Sequence, residues 1–306
     1  MTAAIIHTKR EQWLIGRRES IGASEAAAVL GFDPRRDALS VYAEKIGVLE
    51  VEETPWMRWG RRVEDAIALG YADETKRPVI DEGGLHISRH PDIPWLGATL
   101  DRITEGIEET PAPCAGKGPL EIKAVGAFSR QDWRDEPPTH YQIQLQVQMA
   151  CTGAEWGSLC ALIGGLSLAW ADLKRDDRFL AVALPKLEAF WRCVRLREPP
   201  VVDRAKSATW DALNALWPDD NGEAIALPGD TLQLVSEWEA HKEQRKQAEQ
   251  HADDLEVVLR ERMGSAAVGM LADGTSLSLK KQERAGYTRT VPPTSFRVLR
   301  RFRPRG

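Results

Sequence analysis

Hydrophobic and polar residues follow a strand-like pattern in two short stretches near the middle of the chain. Residues 95–101 are mostly apolar and end on Asp101, and in residues 119–123 Leu120 and Ile122 alternate with Glu121 and Lys123. Successive side chains of a β-strand point to opposite faces of the sheet. The pattern therefore predicts two strands, with Asp101 at the end of the first and Glu121 and Lys123 on one face of the second.

Helix signals precede these strands. Ser24 is predicted to cap a helix that Gly31 ends, and another helix is expected at about residues 40–45. In residues 59–71 apolar side chains recur at helical spacing, and Glu64 borders this apolar stripe. A carboxylate at that border is able to reach a site in the sheet.

The pattern after the strands is more ambiguous. Residues 141–149 alternate apolar residues with glutamine, which favours a strand, whereas Thr139 as a cap and the Gln, Leu and Met content favour a helix. We predict a helix. Residues 156–163 and 166–173 then form a predicted hairpin, followed by a helix at about 177–197 that two prolines stop.

The chain changes character beyond Pro200. A long helix is predicted at 231–263, followed by short strands at about 267–271 and 276–280. We therefore predict two domains. Residues 1–200 form the core, and residues 201–306 form a helical hairpin or long helix with a short β-hairpin and a basic tail.

Composition excludes several classes of protein. The 306 residues are 42% hydrophobic and 28% charged, which is enough to bury a large core. The sequence lacks an apolar run of the roughly 18 to 20 residues that a membrane span needs, and it does not begin like a signal peptide. We expect a cytoplasmic protein with no membrane association. The four cysteines form no CxxC pair, which favours free thiols over a metal site or disulfides.

Charge is distributed unevenly along the chain. The net charge is −5, but residues 280–306 carry nine Lys or Arg against Glu283 alone, which leaves the rest of the chain at −13. Binding to a polyanion depends on local potential more than on total charge. An acidic body with a basic tail is therefore compatible with a DNA-binding protein.

The two predicted strands also carry candidate chemistry. If Asp101 and Glu121 converge, their carboxylates repel each other, and such a pair usually persists because a hard cation such as Mg²⁺ binds between them. Lys123 beside that cation is able to orient or deprotonate a water, or to neutralise charge on a phosphate. This is the chemistry of metal-assisted phosphodiester hydrolysis. The alternative is an ordinary solvated edge strand.

A second candidate site lies near the N-terminus. A helix that begins at Ser24, with Arg17 shortly before it, offers free amides, a hydroxyl and a guanidinium to a phosphate group. An ordinary capped helix with solvated arginines is the alternative. The glutamines of residues 141–149 are poor metal ligands, but an amide both accepts and donates hydrogen bonds to a lysine, a water or a phosphate.

Several motifs together resemble a known family. The spacing D-x19-E-I-K, formed by Asp101, Glu121, Ile122 and Lys123, resembles the motif of the PD-(D/E)xK nuclease superfamily. The segments at 13–31, 57–67, 90–103, 120–123 and 141–153 resemble, in this order, the YqaJ-type phage recombinase family, which includes the lambda exonuclease. The resemblance covers the first two hundred residues and does not extend to the rest of the chain.

This resemblance implies a fold and an activity. The expected fold is α/β (α+β), with a restriction-endonuclease-like central mixed sheet flanked by helices and a helical C-terminal appendage. The implied activity is Mg²⁺-dependent 5′-to-3′ exonuclease action on linear double-stranded DNA, with two Mg²⁺ ions per site that Mn²⁺ can replace. A single-strand annealing protein is the implied partner, and a homo-oligomer, a ring-shaped trimer, is the implied assembly.

The resemblance also assigns residue roles. The implied metal ligands are Asp101, Glu121 and the backbone carbonyl of Ile122, with Glu64 as the helix carboxylate near the metals. Lys123 is expected next to the attacking water with Gln144 beside it. The implied 5′-phosphate site consists of Arg17 and Ser24.

Two other functions remain open from the residues alone. One is a structure-specific or restriction-type endonuclease with the same metal site, which would cut a circular plasmid. The other is a non-catalytic accessory protein that binds DNA ends, and metal-dependent release of nucleotides would exclude it.

Overall fold

The computed structural model describes residues 9–50, 53–81, 86–108, 114–202, 206–286 and 297–301. The chain divides into two compact units, Met1–Asp219 with Arg297–Gly306 and Asp220–Phe296. The described helices are α1 (Lys9–Arg18), α2 (Ala23–Val29), α3 (Ala38–Lys45), α4 (Pro55–Thr75), α5 (Thr139–Thr152), α6 (Asp177–Leu196), α7 (Ser207–Leu216) and α8 (Thr231–Met263), with a short 3-10 helix at Ala127–Arg130. The described strands are β1 (Ile21–Gly22), β2 (Val79–Ile80), β3 (Ser88–Arg89), β4 (Leu96–Ala98), β5 (Arg102–Glu105), β6 (Lys117–Val125), β7 (Trp156–Ile163), β8 (Ser167–Lys174), β9 (Val268–Met270) and β10 (Ser276–Ser278).

The first unit is built on a mixed five-stranded sheet. Its strand order is β2-β5-β6-β7-β8, and β6 runs parallel to β7 while the other neighbours are antiparallel. A smaller sheet of order β1-β4-β3 lies in the same unit. This is the predicted fold class, a central mixed sheet flanked by helices.

The two faces of strand β6 have different partners. Leu120 and Ile122 are buried against Ile67 and Tyr71 of α4. Each such buried apolar side chain contributes about 1.5 to 3 kcal/mol. Glu121 is opposite Leu159 of β7, and that leucine packs under α5. The predicted alternation is confirmed, and it places Glu121 on the α5 face of the sheet.

Several predicted elements of the first unit are confirmed. Residues 141–149 lie within helix α5, and the hairpin across Gly164-Gly165 forms as β7 and β8. Tertiary packing explains why α5 is a helix despite its alternating sequence: Ile143 and Val147 face one cluster of core residues, and Leu145 and Met149 face another. A helix buried on two sides does not need a single apolar stripe.

The first predicted strand is wrong in its extent. Only Leu96–Ala98 forms β4, which belongs to the small sheet. Asp101 lies in a bend directly before β5, whose first residue, Arg102, is opposite Leu120 of β6. Asp101 is therefore positioned at the start of a strand that neighbours the one carrying Glu121.

The prediction that Ser24 caps its helix is also wrong. Gly22 is the N-cap of α2, and its backbone N–H donates to Oε2 of Glu25 over 2.7 Å. Ser24 lies inside the first turn. The helix does end as expected, with Gly31 in the left-handed region at φ 83°.

The first unit extends beyond the predicted boundary at residue 200. Ala212 of α7 is completely buried in the same core as α3, and Thr209 donates a 2.6 Å hydrogen bond to Oδ2 of Asp37, the cap of α3. These contacts include α7 in the first unit. The sequence analysis did not predict this helix.

The second unit consists of α8 and the antiparallel hairpin of β9 and β10, as predicted. None of the residues of α8 is buried. Residues 287–296 and 302–306 of the basic tail lie outside the described residues. In the parts of the chain that the structure describes, no helix is both long enough and apolar enough to cross a bilayer. All four cysteines are free, as predicted.

Candidate active site

A cleft of about 510 Å³ opens between the two sheets and the helices α1, α2, α4 and α5 of the first unit. Side chains from widely separated parts of the sequence line it, among them all but one of the predicted site residues: Arg17, Ser24, Glu64, Asp101, Glu121, Lys123 and Gln144. The exception is Ile122, whose side chain is buried on the opposite face of β6. The fold therefore brings the predicted carboxylates, lysine, amide and phosphate-binding residues to a single cavity.

Asp101 and Glu121 approach each other at the wall of this cleft. Oδ2 of Asp101 accepts a 2.8 Å hydrogen bond from the backbone N–H of Ile122, which ties the bend before β5 to strand β6. Burial and then the charge of Glu121 raise the pKa of Asp101 well above its ordinary value, although Lys123 opposes this shift. The positive charge near Asp101 and Glu121 is therefore too small to compensate both carboxylates.

Glu121 is the most enclosed of these acids, with 1% of its surface exposed. Its Oε1 accepts hydrogen bonds from Lys123 Nζ and, over 2.7 Å, from Gln144 Nε2. Its Oε2 accepts a hydrogen bond from Nε2 of Gln148. The carboxylate is thus held at both oxygens, and these hydrogen bonds fix its orientation.

Lys123 carries the charge that compensates the two acids. Burial lowers the pKa of Lys123, but Glu121 and Asp101 outweigh burial and raise it above its ordinary value. The ammonium also lies 5.1 Å from the centre of the Tyr141 ring. Lys123 is therefore protonated at neutral pH and acts as a hydrogen-bond donor.

Glu64 reaches the cleft from α4 and is paired with Arg102. Arg102 Nη1 donates to Glu64 Oε1 over 2.7 Å, and the same guanidinium bonds Asp65 and the backbone carbonyl of Asp101. Burial raises the pKa of Glu64, and the Arg102 charge partly offsets this effect. Sequence reasoning missed Arg102, because a buried arginine beside two helix carboxylates is visible only once α4 is docked on the sheet.

Arg17 of α1 lines the same cleft. Its Nη2 is 3.1 Å from Oε1 of the buried Glu25, and its guanidinium lies 4.9 Å from the centre of the Trp13 ring. Trp13 in turn donates from Nε1 to Thr99 Oγ1 over 3.0 Å. These contacts leave about a third of the Arg17 side chain exposed, 34%. The guanidinium is held in place but remains accessible to a ligand.

The oxygen-rich end of the cleft suits a hard divalent cation. Within the described ranges, no group of three or more His, Cys, Asp or Glu side chains is placed to hold a metal together. Asp101 and Glu121 nevertheless offer two carboxylates, and the positive charge around Asp101 does not compensate its negative charge. Mg²⁺ is commonly bound through only one or two carboxylates and keeps several waters. The donor set therefore fits such an ion, and Glu64, bonded to Arg102, lines the same cleft.

Comparison with known sequences finds a family match and a relative. Residues 12–155 match the model of the YqaJ-like viral recombinase domain. The chain is 26% identical over 270 residues to the uncharacterized protein YqaJ of Bacillus subtilis strain 168, and the match covers 86% of this chain and 81% of the relative.

The fold also matches solved structures. The alkaline exonuclease LHK-Exo of Laribacter hongkongensis superposes with a TM-score of 0.50 at 24% identity, and its complex with dAMP superposes with 0.51 at 23%. Both matches cover 61% of this chain and 93% of the exonuclease, which shows that the two proteins share a fold. Residues 12–155, which contain the Asp101, Glu121 and Lys123 cluster, therefore match the YqaJ-like viral recombinase domain, as the order of the sequence motifs predicted.

Proposed function

We propose that this protein is a Mg²⁺-dependent exonuclease that degrades linear double-stranded DNA from the 5′ end in phage-type recombination. The observation that carries this proposal is the convergence of Asp101, Glu121 and Lys123 on one cleft. The exonuclease fold of the LHK-Exo structures supports the reaction class. The recombinase domain supports the biological process.

The two carboxylates hold the cation in this proposal. Asp101 and Glu121 would supply side-chain oxygens to it and Ile122 its backbone carbonyl, with Glu64 as the nearby helix carboxylate. Bound Mg²⁺ would stabilise negative charge on the scissile phosphate and lower the pKa of a water. Mn²⁺ offers similar oxygen chemistry and is expected to replace it.

Lys123 lies next to the proposed metal ligands. Its Nζ donates a hydrogen bond to Oε1 of Glu121, and from this position it would orient the attacking water or stabilise the charge that develops on the phosphate. Gln144 shares Oε1 of Glu121 with Lys123, so it positions both the carboxylate and the ammonium. Together these residues would stabilise the charge of the transition state.

End recognition is assigned to two other residues of the cleft. Arg17 and Ser24 line the same cavity as Glu121, and a guanidinium and a hydroxyl there would bind a terminal 5′-phosphate while the adjacent phosphodiester reaches the acids. This arrangement favours an end-directed enzyme over an endonuclease. A ring-shaped homotrimer and a single-strand annealing protein are the assembly and the partner that we propose with it.

A cleavage assay on several DNA forms tests this function. Linear duplexes labelled at the 5′ or the 3′ end, a nicked circle and a covalently closed plasmid are incubated with the protein in Mg²⁺, Mn²⁺ or EDTA. We expect loss of nucleotides from the 5′ ends of linear DNA in either metal, an intact closed plasmid, and no reaction in EDTA. Cutting of the closed plasmid would assign an endonuclease, and binding of ends without any nucleotide release would assign a non-catalytic accessory protein.

A further inference from the structure

A buried lysine lies behind Arg17 and does not line the cleft. The Lys45 side chain at the end of α3 is 3% exposed, and its Nζ is 2.6 Å from Oε2 of Glu25 and 2.6 Å from the backbone carbonyl of Arg17. Burial lowers the pKa of Lys45 although Glu25 opposes that shift. A buried charge needs compensating partners. Here one partner is the backbone carbonyl of Arg17, and the other is Glu25, which pairs with the Arg17 guanidinium.

The carbonyl contact restrains the main chain of Arg17. The last carbonyls of a helix have no partner within it, and a cation at that end interacts favourably with the helix dipole. In α1 the carbonyl of Gly16 accepts hydrogen bonds from Ser20 Oγ and from Arg89, and the carbonyl of Arg17 accepts one from Lys45. Lys45 therefore restrains the backbone of Arg17 in the last turn of α1.

The carboxylate contact restrains the side chain of Arg17. Glu25 uses Oε2 for Lys45 and for the backbone N–H of Gly22, which leaves Oε1 for the Arg17 guanidinium at 3.1 Å. Burial opposes ionisation of Glu25, but Lys45 and then Arg17 hold its pKa below the ordinary value. The two oxygens of one buried carboxylate therefore pair with both Lys45 and Arg17.

We propose that Lys45 is a positioning residue for a terminal phosphate. It never touches the DNA, but it holds both the backbone and, through Glu25, the guanidinium of Arg17 in the orientation that a 5′-phosphate monoester requires. The inference rests on the proposed function, since it assigns Arg17 to end recognition. It predicts that a buried change some distance from the carboxylates alters the choice of DNA end and leaves the chemistry unchanged.

The test compares Lys45→Met with the wild type on duplexes that differ only in a 5′-phosphate or a 5′-hydroxyl end. We expect Lys45→Met to lower the preference for the phosphorylated end about tenfold, as a rise in KM for that substrate, with kcat and the rate on 5′-hydroxyl DNA within about twofold of wild type. Lys45→Arg keeps a cation with several donors and should restore most of the preference. Equal losses on both substrates would show a merely structural role and overturn the proposal.

A matched control lies on the same helix. Glu44 pairs with Arg36 over 2.7 Å and is 15% exposed, but it does not contact Arg17. Glu44→Gln is expected to leave the end preference unchanged. A loss of preference in Glu44→Gln equal to that in Lys45→Met would show that any change in α3 has this effect, and it would overturn the specific role of Lys45.

Folding and activity are controlled separately. If Lys45→Met does not fold, the double variant Glu25→Gln/Lys45→Met removes both buried charges, which proteins tolerate better than the loss of one partner. It should lose the preference as well.

A binding experiment in EDTA needs no cleavage. It measures the binding of the two duplexes by fluorescence anisotropy. If the protein does not cleave DNA but binds the phosphorylated end more tightly only when Lys45 is present, the proposed function is refuted and the role of Lys45 is supported. If the wild type binds both ends equally, the role of Lys45 is overturned.

Discussion

The side-chain amide of Gln144 donates a 2.7 Å hydrogen bond to Oε1 of Glu121, from the helix that packs over the strand carrying this carboxylate. Gln148, one turn further along α5, donates to the other oxygen of the same carboxylate. Residues four apart lie on one face of a helix, so two amides fix both oxygens of Glu121. Helix α5 therefore sets the orientation of the candidate metal ligand.

Replacing Gln148 by leucine should weaken both the fold and the site. Gln148 is completely buried, and its loss leaves Oε2 of Glu121 without that donor. We expect a loss of about 1 to 3 kcal/mol in the free energy of unfolding, measured with urea in EDTA. Gln142→Leu is the control, because Gln142 is half-buried and donates to the Pro137 carbonyl outside the cleft. Equal losses in the two variants would contradict the special role of Gln148.

Replacing Glu121 or Lys123 by alanine should abolish hydrolysis but not DNA binding. Each residue stabilises charge in the transition state rather than a surface contact, so a rate loss of at least ~100-fold is expected in Mg²⁺. Cleavage rates and anisotropy on the same linear duplex measure the two effects. Glu188→Ala, an exposed change on α6, should behave like wild type. Near-normal turnover of either site variant would refute the assignment of the metal site.

Asp101→Asn should remove activity and yet stabilise the metal-free protein at neutral pH. Because burial and Glu121 raise the pKa of Asp101, the native state holds this proton more tightly than the unfolded chain. The wild type therefore loses stability as pH rises from the unfolded-state pKa through the raised native pKa, and asparagine does not. In EDTA at pH 8 we expect a gain above ~0.5 kcal/mol, the usual range of surface substitutions, and almost none near pH 3.

Urea unfolding at both pH values in EDTA measures this difference. Asp211→Asn, an exposed change on α7, is the control and should show no dependence of this kind. A gain of equal size at both pH values would show that the ionisation of Asp101 is not its cause.

Local patterns were enough to predict the position of Glu121 and Lys123. Alternation within β6 fixes their common face, since residues two apart in a strand always share one. The hairpin of β7 and β8 and the long helix α8 were equally local. The position of Asp101 was not, because its strand and its sheet depend on how β5 pairs with β6.

The partners of the site residues could not be predicted from the sequence. Arg102 bonds Glu64 across 38 positions of the chain, and Lys45 reaches Arg17 across 28. Gln148 looked equivalent to its neighbouring glutamines until α5 was placed over β6. Such contacts depend on the docking of whole elements, which periodicity does not encode.

The basic tail should affect binding rather than chemistry. Residues 300–306 carry Arg300, Arg301, Arg303 and Arg305, of which the last two lie outside the described residues. Their deletion is expected to weaken DNA binding at low salt and to reduce the slope of log K against log salt by up to about 3 to 4, since each phosphate contact contributes about 0.9. Cleavage at saturating DNA should not change.

A variant with glutamine at these four positions keeps the length of the tail and separates charge from contact area. It should behave like the deletion. Unchanged binding at low salt in both variants would show that the tail is a solvated end.

Arg17→Ala should remove the distinction between phosphorylated and hydroxyl 5′ ends. A phosphate monoester carries more negative charge than an internal diester, and charge-assisted hydrogen bonds to a guanidinium contribute roughly 1.5 to 3 kcal/mol, or about one to two orders of magnitude in rate. We expect the wild type to degrade 5′-phosphorylated duplexes faster by that factor, and Arg17→Ala to degrade both at the basal rate. Arg18→Ala is the control, because Arg18 is its exposed neighbour on α1 and does not line the cleft. If Arg17→Ala keeps the preference, or if Arg18→Ala loses it equally, the phosphate is recognised elsewhere and Arg17 only completes the ion pair with Glu25.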